Sequence, residues 1–409
     1  VPAAGTRLPG EIWTTFPDLQ LGVIDASRNA QRLIAVRYFS ASANYATGDC
    51  VWQAGKLYLA NGPIAAGAFS ISQWTQIASM TDVGAVSPHG DNRIINGDMR
   101  IDQRNNGASG TAIGYTVDRW QYVSNQVGKI AWQRLSGPVM TGNGYPYYLG
   151  LQSSSAYASL AGDSFYLTQI IEADTVGDFA WGTANAQPVT LSFWAIANGV
   201  SGTFSGSLRN YPTPSTRSYP FTFTLPASVW TKIVITIPGD TAGTWVMSGN
   251  AAALGLNFDL GCGSTFRGPA GAWASGNYLG ANGAQSVVAA NSAVIQITGV
   301  KLEIGSVATS YNRQSLAKSM ADCQRYYQLA GANALVYAAA ATYFVSTNVN
   351  FQTMRAAPTA SLFSVSIVEA NVGAVSYDTM TTNSLRMFAQ SNAAGQANLG
   401  RTLALNAEL

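Results

Sequence analysis

Charge, histidine and cysteine are all scarce in this sequence. Of its 409 residues 10% are charged, three are cysteine and one is histidine. A Ser-His-Asp relay needs histidine as its base, and His89 stands alone between Pro88 and Gly90 in a loop-like stretch. Cys50, Cys262 and Cys323 lack the local spacing of a zinc site, and an odd count does not suggest a disulfide framework. The phosphate-loop pattern Gly-x-x-x-x-Gly-Lys-Ser/Thr does not occur. A net charge of +2 without basic clusters gives no surface for nucleic acid. No apolar run reaches the roughly eighteen residues of a spanning helix. Nor is there a charged start followed by an apolar block and a cleavage site.

What is present is apolar and glycine-rich: 47% apolar residues and 41 glycines. A surface this poor in charge dissolves badly when bare, so burial in an oligomer is expected. The length implies roughly two to four domains.

Residues 1–38 carry sparse strand signals. The run 25–36 predicts one short helix, with Asp25 or Ser27 as its N-cap. This piece is expected either to dock onto a larger assembly or to form an ordinary first subdomain. Residues 39–80 read as a small β module. Gly48-Asp49 and Ala54-Gly55 are turn pairs between Tyr45, Cys50–Gln53 and Lys56–Ala60, and Trp74 closes the unit. Residues 81–91 are a Gly/Pro/Asp linker.

From 92 to 312 apolar residues alternate with polar ones. Val189, Leu191 and Phe193 mark one run, Phe221, Phe223 and Leu225 another, and Ile233, Ile235 and Ile237 a third. A period of two with one apolar face predicts an antiparallel sandwich, with Trp120 and Trp194 in its core. Ile295 and Ile297 occupy one phase and Val300 and Leu302 the other, so a β-bulge is expected at Gly299. The glycine-rich span 261–283 predicts long surface loops, where binding function tends to lie.

Leu316, Met320, Cys323 and Tyr327 fall at i, i+4, i+7 and i+11, which predicts one helix within 313–328. Residues 329–409 return to strands, at 341–345, 349–351, 361–368, 372–377, 384–388 and 402–405. The fold class expected is all-β: a small N-terminal β module, an antiparallel sandwich, one short helix and a C-terminal β-sandwich.

The stretch 92–120 concentrates what charge there is: Arg93, Asp98, Arg100, Asp102, Arg104, Asp118 and Arg119. It reads as two strand-like runs, Ile94-Ile95 and Met99 to Ile101, about the turn Asn96-Gly97-Asp98. The charges imply either a structural corner of paired ions or a ligand or metal site on Asp98 and Asp102.

The patterns Asn96-Gly97-Asp98-Met99-Arg100-Ile101 and Tyr115-Thr116-Val117-Asp118-Arg119-Trp120 resemble the start of a jelly-roll module in tail-fibre and receptor-binding proteins of tailed bacteriophages and prophages. The resemblance continues through Gln169 to Glu172, Ile237-Pro238-Gly239-Asp240-Thr241, Phe258 to Gly261 and Ile297 to Glu303, and ends at Cys323-Gln324-Arg325-Tyr326-Tyr327. Met354 to Thr359 and the terminal Leu405 to Leu409 resemble the distal sandwich of the same proteins. That likeness implies a homotrimeric virion protein on the phage tail, assembled in the host cytoplasm. Its N-terminal segment would contact other tail or baseplate proteins, and its partner would be host surface polysaccharide. Residues 39–80 resemble the small modules attached to chitinases and cellulases, which implies sugar stacking on Trp52 and Tyr58. The same aromatics also suit the core of a tiny domain.

In the jelly roll, Trp245, Trp273 and Tyr278 lie in or beside loops and are weighed both as core and as sugar platforms. No cofactor is expected, although jelly-roll sugar binders often carry a structural calcium, for which Asp98 and Glu303 are the residues to watch. A glycosidic mechanism needs only two carboxylates at the right separation, and Asp163, Glu172, Asp174 and Asp178 are the candidates. Adhesion to host glycan without catalysis is the expectation. Its rivals are a structural decoration of head or tail and a glycan depolymerase.

Overall fold

In a computed structural model the chain divides into two units, 1–89 and 90–409. Residues 12–15, 20–24, 30–32, 36–53, 56–79, 91–137, 144–211, 216–365 and 369–409 are described. His89 and most of the linker lie outside them.

In the first unit Ile12–Thr15, Gln20–Ile24 and Ala30–Arg32 form an antiparallel sheet. The expected helix over 25–36 is therefore wrong: its described residues are strand, in Ala30–Arg32 and at the start of Val36–Tyr38. Strand pairing outweighed a weak helical pattern that had no tertiary support. A second sheet joins Val36–Tyr38, Cys50–Gln53, Lys56–Ala60 and Trp74–Ser79. Its core is Tyr45, Val51, Tyr58, Ala60, Ile64 and Trp74, with Phe39 and Phe69 packed against it. So few residues bury enough area only by using large rings, and Phe69 and Trp74 stack at 5.6 Å.

The second unit opens with a jelly-roll sandwich. One sheet runs in the order Ile130–Ser136, Tyr147–Ser153, Val294–Ile304, Val189–Asn198, Thr231–Ile237. The other runs Ala274–Ser275, Arg217–Leu225, Gly202–Asn210, Ala252–Asp259, Phe165–Glu172, Trp120–Ser124, Gly114–Val117. Phe193, Phe204, Phe221, Phe223 and Phe258 meet between them, with the rings of Phe193 and Phe258 at 5.0 Å. Trp120 is fully buried as expected. Trp194 is not; it lies on the opposite face of its strand from Phe193 and is half-exposed.

The bulge at Gly299 is present. Ser192 pairs with Lys301 and Trp194 with Thr298, so one residue faces two. Gly299 has φ 62°, and a Cβ there would come within 2.7 Å of the Tyr145 ring. Glycine is required on both counts.

The runs Ile94-Ile95 and Met99 to Ile101 in the stretch 91–113 are not strands. The stretch is a series of turns, with Asn96 and Met99 at φ 56° and 58°. The buried Asn96 amide donates to the carbonyls of Ile101 and Asp118 and accepts from Ile101 N–H. One side chain thus satisfies backbone groups that a ladder would otherwise pair. The charges form a corner of ion pairs: Asp98 with Arg100 (2.8 Å) and Arg313 (3.2 Å), Asp102 with Arg134, Asp118 with Arg104.

The helix is Leu316–Gln324, capped by the Ser315 hydroxyl accepting from Lys318 N–H. Its buried face is Ser319 and Cys323, while Leu316 is exposed. Tyr327 belongs to the next strand, Tyr327–Ala338, not to the helix. That strand, Gly395–Asn406 and Thr359–Val365 form one sheet of the distal sandwich. Phe344–Asn350, Ser384–Gln390 and Ser376–Asp378 form the other. Val345, Val349, Leu385, Met387, Leu399 and Leu403 fill the space between.

Candidate functional site

At one edge of the jelly roll four rings interlock. Trp181 follows the short helical turns after the strand Phe165–Glu172. Trp245 comes from the loop after Thr231–Ile237, Trp273 from the loop before Ala274–Ser275, and Tyr219 from Arg217–Leu225. Trp181 lies 4.9 Å from Trp245 and 5.1 Å from Trp273, Trp245 lies 5.5 Å from Trp273, and Tyr219 lies 5.4 Å from Trp273. All four pairs are edge-to-face, the favourable arrangement of ring quadrupoles. Trp181 is buried; Trp245 and Trp273 are half-exposed.

Each indole N–H is anchored. Trp181 donates to Gln187 carbonyl (2.7 Å) and Trp273 to Pro238 carbonyl (2.7 Å). Trp245 donates to the Asp240 carboxylate and to Ala242 carbonyl (both 3.2 Å). Asp240 is itself buried in a two-pronged pair with Arg217, at 2.8 and 2.5 Å. That hydrogen bonding raises the Arg217 pKa above its usual value. Rings so braced lose little entropy on meeting a ligand. What they offer is a fixed apolar ledge beside a charged pair and loop carbonyls.

Among the expected sugar-stacking residues, Trp245 and Trp273 are therefore brought together. Tyr278 is not in ring contact with them; its ring lies over Gly268 and Gly276, where Cβ atoms would approach within 2.6 and 2.8 Å. Tyr58 is a correction: its ring is buried, 4.9 Å from Phe69, because the small module needs it as core. Trp52 pairs through its backbone with Tyr38 and Leu57; its side chain lies outside the described residues. Trp181, Tyr219 and the Arg217–Asp240 pair were missed. Trp181-Gly182 in a turn was the available signal, because an aromatic before glycine in a loop asks what its ring covers.

The span 261–283 is not a set of free loops. Arg267–Gly268 pairs in parallel with Gly280–Ala281, Ala274–Ser275 extends the seven-stranded sheet, and Leu279 and Ala281 are buried. Arg267 reaches Asp259 at 2.8 Å, and Tyr278 N–H donates to Ser218 Oγ. Asp259 and Ser218 thereby tie the span to the sheet.

Asp98 and Glu303 do not make a calcium site. Asp98 is held by Arg100 and Arg313. Glu303 pairs with Lys301 at 3.0 Å and accepts from Thr309 N–H and hydroxyl. Cations already neutralise both, and among the described residues no three His, Cys, Asp or Glu converge. Calcium needs several oxygens converging on one point.

Of the four carboxylates weighed for glycoside cleavage, Asp163 stands apart, while Glu172, Asp174 and Asp178 follow one another at the other end of the same strand. Asp163 stands two residues before an eight-residue strand whose last residue is Glu172, which separates the two by more than about 20 Å, well beyond either glycosidase spacing. Asp163 accepts from Leu160 N–H, Gln126 and Tyr157, and the Leu160 bond leads in holding its pKa below the ordinary value. Glu172 pairs with Arg325 (2.8 Å) and Arg355 (3.3 Å), Asp178 with Arg93 (2.6 Å), and Asp174 accepts from Gly249 N–H.

No protein-family model and no curated protein matches this sequence. Several solved structures are weakly similar. One is a putative sugar binding protein from Bacteroides thetaiotaomicron (12% identity, 53% of this chain and 100% of that one, TM-score 0.33). Another is the enzymatically active domain of bacteriophage CBA120 tailspike protein 4 (13%, 52% and 21%, TM-score 0.27). A third is a carbohydrate-binding module in complex with β-1,4-galactotriose (12%, 53% and 99%, TM-score 0.27).

Proposed function

We propose that this chain is a non-enzymatic virion protein, a trimeric phage tail fibre or receptor-binding protein that adheres to host surface glycan. The observation that carries the glycan reading is the pairing of half-exposed Trp245 and Trp273 on an anchored aromatic base. Stacking on a sugar face needs no proton transfer, only a flat apolar surface beside hydrogen-bonding groups. The virion setting, the attachment of residues 1–38 to other tail proteins and the trimer follow from the resemblance of residues 92–328. An oligomer also agrees with the distal sandwich, which leaves Leu335, Tyr337, Leu362 and Phe363 exposed. Exposed apolar side chains on a surface poor in charge favour association. Single sites of this kind bind weakly, and three copies raise avidity through effective concentration.

The test is a glycan array read with purified protein, alongside its mass in solution and reducing-end release from host polysaccharide. Glycan binding by a trimer that releases no reducing ends is expected. A monomer that degrades the polymer overturns the proposal.

A further inference from the structure

We infer that the distal sandwich carries a second saccharide site, separate from the Trp245–Trp273 ledge, centred on Phe344. It rests on the glycan-binding reading above and extends it to a different sheet.

In the sheet Phe344–Asn350, Ser384–Gln390, Ser376–Asp378, alternate residues Val345, Val349, Leu385, Met387 and Ala389 point to the core. Phe344, Phe388, Gln390 and Ser376 therefore share the outer face. Phe344 pairs directly with Gln390 and is 60% exposed. Its ring lies 6.2 Å from that of Phe388. On the far side Phe388 is braced by the Arg386 guanidinium, 5.1 Å from its centroid, which Asp378 holds in turn.

Three loops at the end of this sheet raise walls around Phe344 and leave a cavity of about 520 Å³. The cavity stays open because Ala341, Gly373 and Ala374 line it where larger side chains would fill it. Its rim is fixed. Ser391 Oγ donates to Ala340 carbonyl and accepts from Tyr343 N–H, and the Asn392 amide donates to Val372 carbonyl. Beside the exposed ring, the Gln390 side-chain amide and the Ser376 hydroxyl lie on the rim and make no hydrogen bond among the described residues.

The chemistry selects the ligand class. No residue lining the cavity is charged, so an anion or cation finds no counter-charge; Arg386 is already paired. A purely apolar ligand would leave the amide and hydroxyl unsatisfied. A neutral molecule with one C–H face and several hydroxyls satisfies both the ring and the rim. The volume lies in the ordinary range of small-ligand sites and suits a mono- or disaccharide. A second copy of this chain is the competing occupant.

The experiment titrates the full chain with chitobiose, lactose and maltose by calorimetry, comparing wild type with Phe344→Ala, Gln390→Ala and Trp273→Ala. The expected result is that Phe344→Ala and Gln390→Ala each weaken one class of site by about tenfold, Phe344→Trp restores it, and the class lost in Trp273→Ala is a different one. If Phe344→Ala and Gln390→Ala titrate like wild type while Trp273→Ala loses binding, this inference falls and the jelly-roll reading stands. Unchanged titration with a reduced oligomeric mass in Phe344→Ala assigns the patch to a subunit contact and also overturns it. If wild type binds none of the three sugars, both readings fall together.

Discussion

Arg119 and Glu408 form a buried ion pair across 289 residues of sequence. Arg119 lies in the tight turn between the strands Gly114–Val117 and Trp120–Ser124, and Glu408 lies just beyond the strand Gly395–Asn406. The guanidinium also donates to Ile170 carbonyl and lies 3.5 Å from the Tyr326 ring centroid. The other carboxylate oxygen accepts from Arg104 at 2.9 Å. Glu408 thereby ties the distal sandwich to the corner that begins the jelly roll.

Removing one partner of such a pair leaves buried charge uncompensated, which costs about 3–5 kcal/mol. Glu408→Gln should therefore lower the denaturant midpoint substantially, and unfolding followed by tryptophan fluorescence measures it. An unchanged midpoint would mean that the two guanidiniums find other partners.

Asp118 lies in the same corner. Burial, opposed by hydrogen bonds from Gln103 and the charge of Arg104, raises its pKa from 3.8 to about 6. The folded form thus binds this proton more tightly than the unfolded chain does. Stability from this group is gained as pH falls from above 6 towards 4 and is lost as pH rises through 6. The difference is worth roughly 3 kcal/mol. Chemical denaturation between pH 4 and 8 should show most of this gain on acidification in wild type and a flatter profile in Asp118→Asn.

Gly299→Val should destabilise the jelly roll. It puts a β-branched residue at φ 62° and drives its Cβ into the Tyr145 ring. Strain of that kind costs about 1–3 kcal/mol, and a thermal melt reads it. Gly283→Val is the control, with a similar φ of 74° and nothing within 4 Å of its Cβ; it should cost less.

The three cysteines are free and buried, and desolvation leads in raising the pKa of each. The thiolate is the form that attacks thiol reagents. Native protein at pH 8 should therefore titrate slowly and release its thiols only on unfolding. Rapid labelling of one cysteine in the native state would contradict its burial.

The parts of the fold legible beforehand were those written in local pattern. Phe221, Phe223 and Leu225 alternate with exposed Thr222 and Thr224, and the phase change at Gly299 marked the bulge. The strand Tyr327–Ala338 was missed because its alternating side chains are mostly small, with four alanines and a glycine, so hydrophobic period gave little signal. The turns about Asn96 were misread because a side-chain amide replaced a strand ladder there. At the site, Trp245 and Trp273 could be named but not paired, since they belong to different loops that only the fold brings together. Glu408 was beyond reach, because no local rule connects it to Arg119.

The account turns on whether the aromatic ledge contacts host glycan, and adsorption of the purified protein to host cells with and without Trp273 measures that most directly. The account predicts that Trp273→Ala, shown by circular dichroism to keep its fold, loses most adsorption, and that free host polysaccharide competes with wild type for the same cells. Folded Trp273→Ala that adsorbs as well as wild type would contradict it.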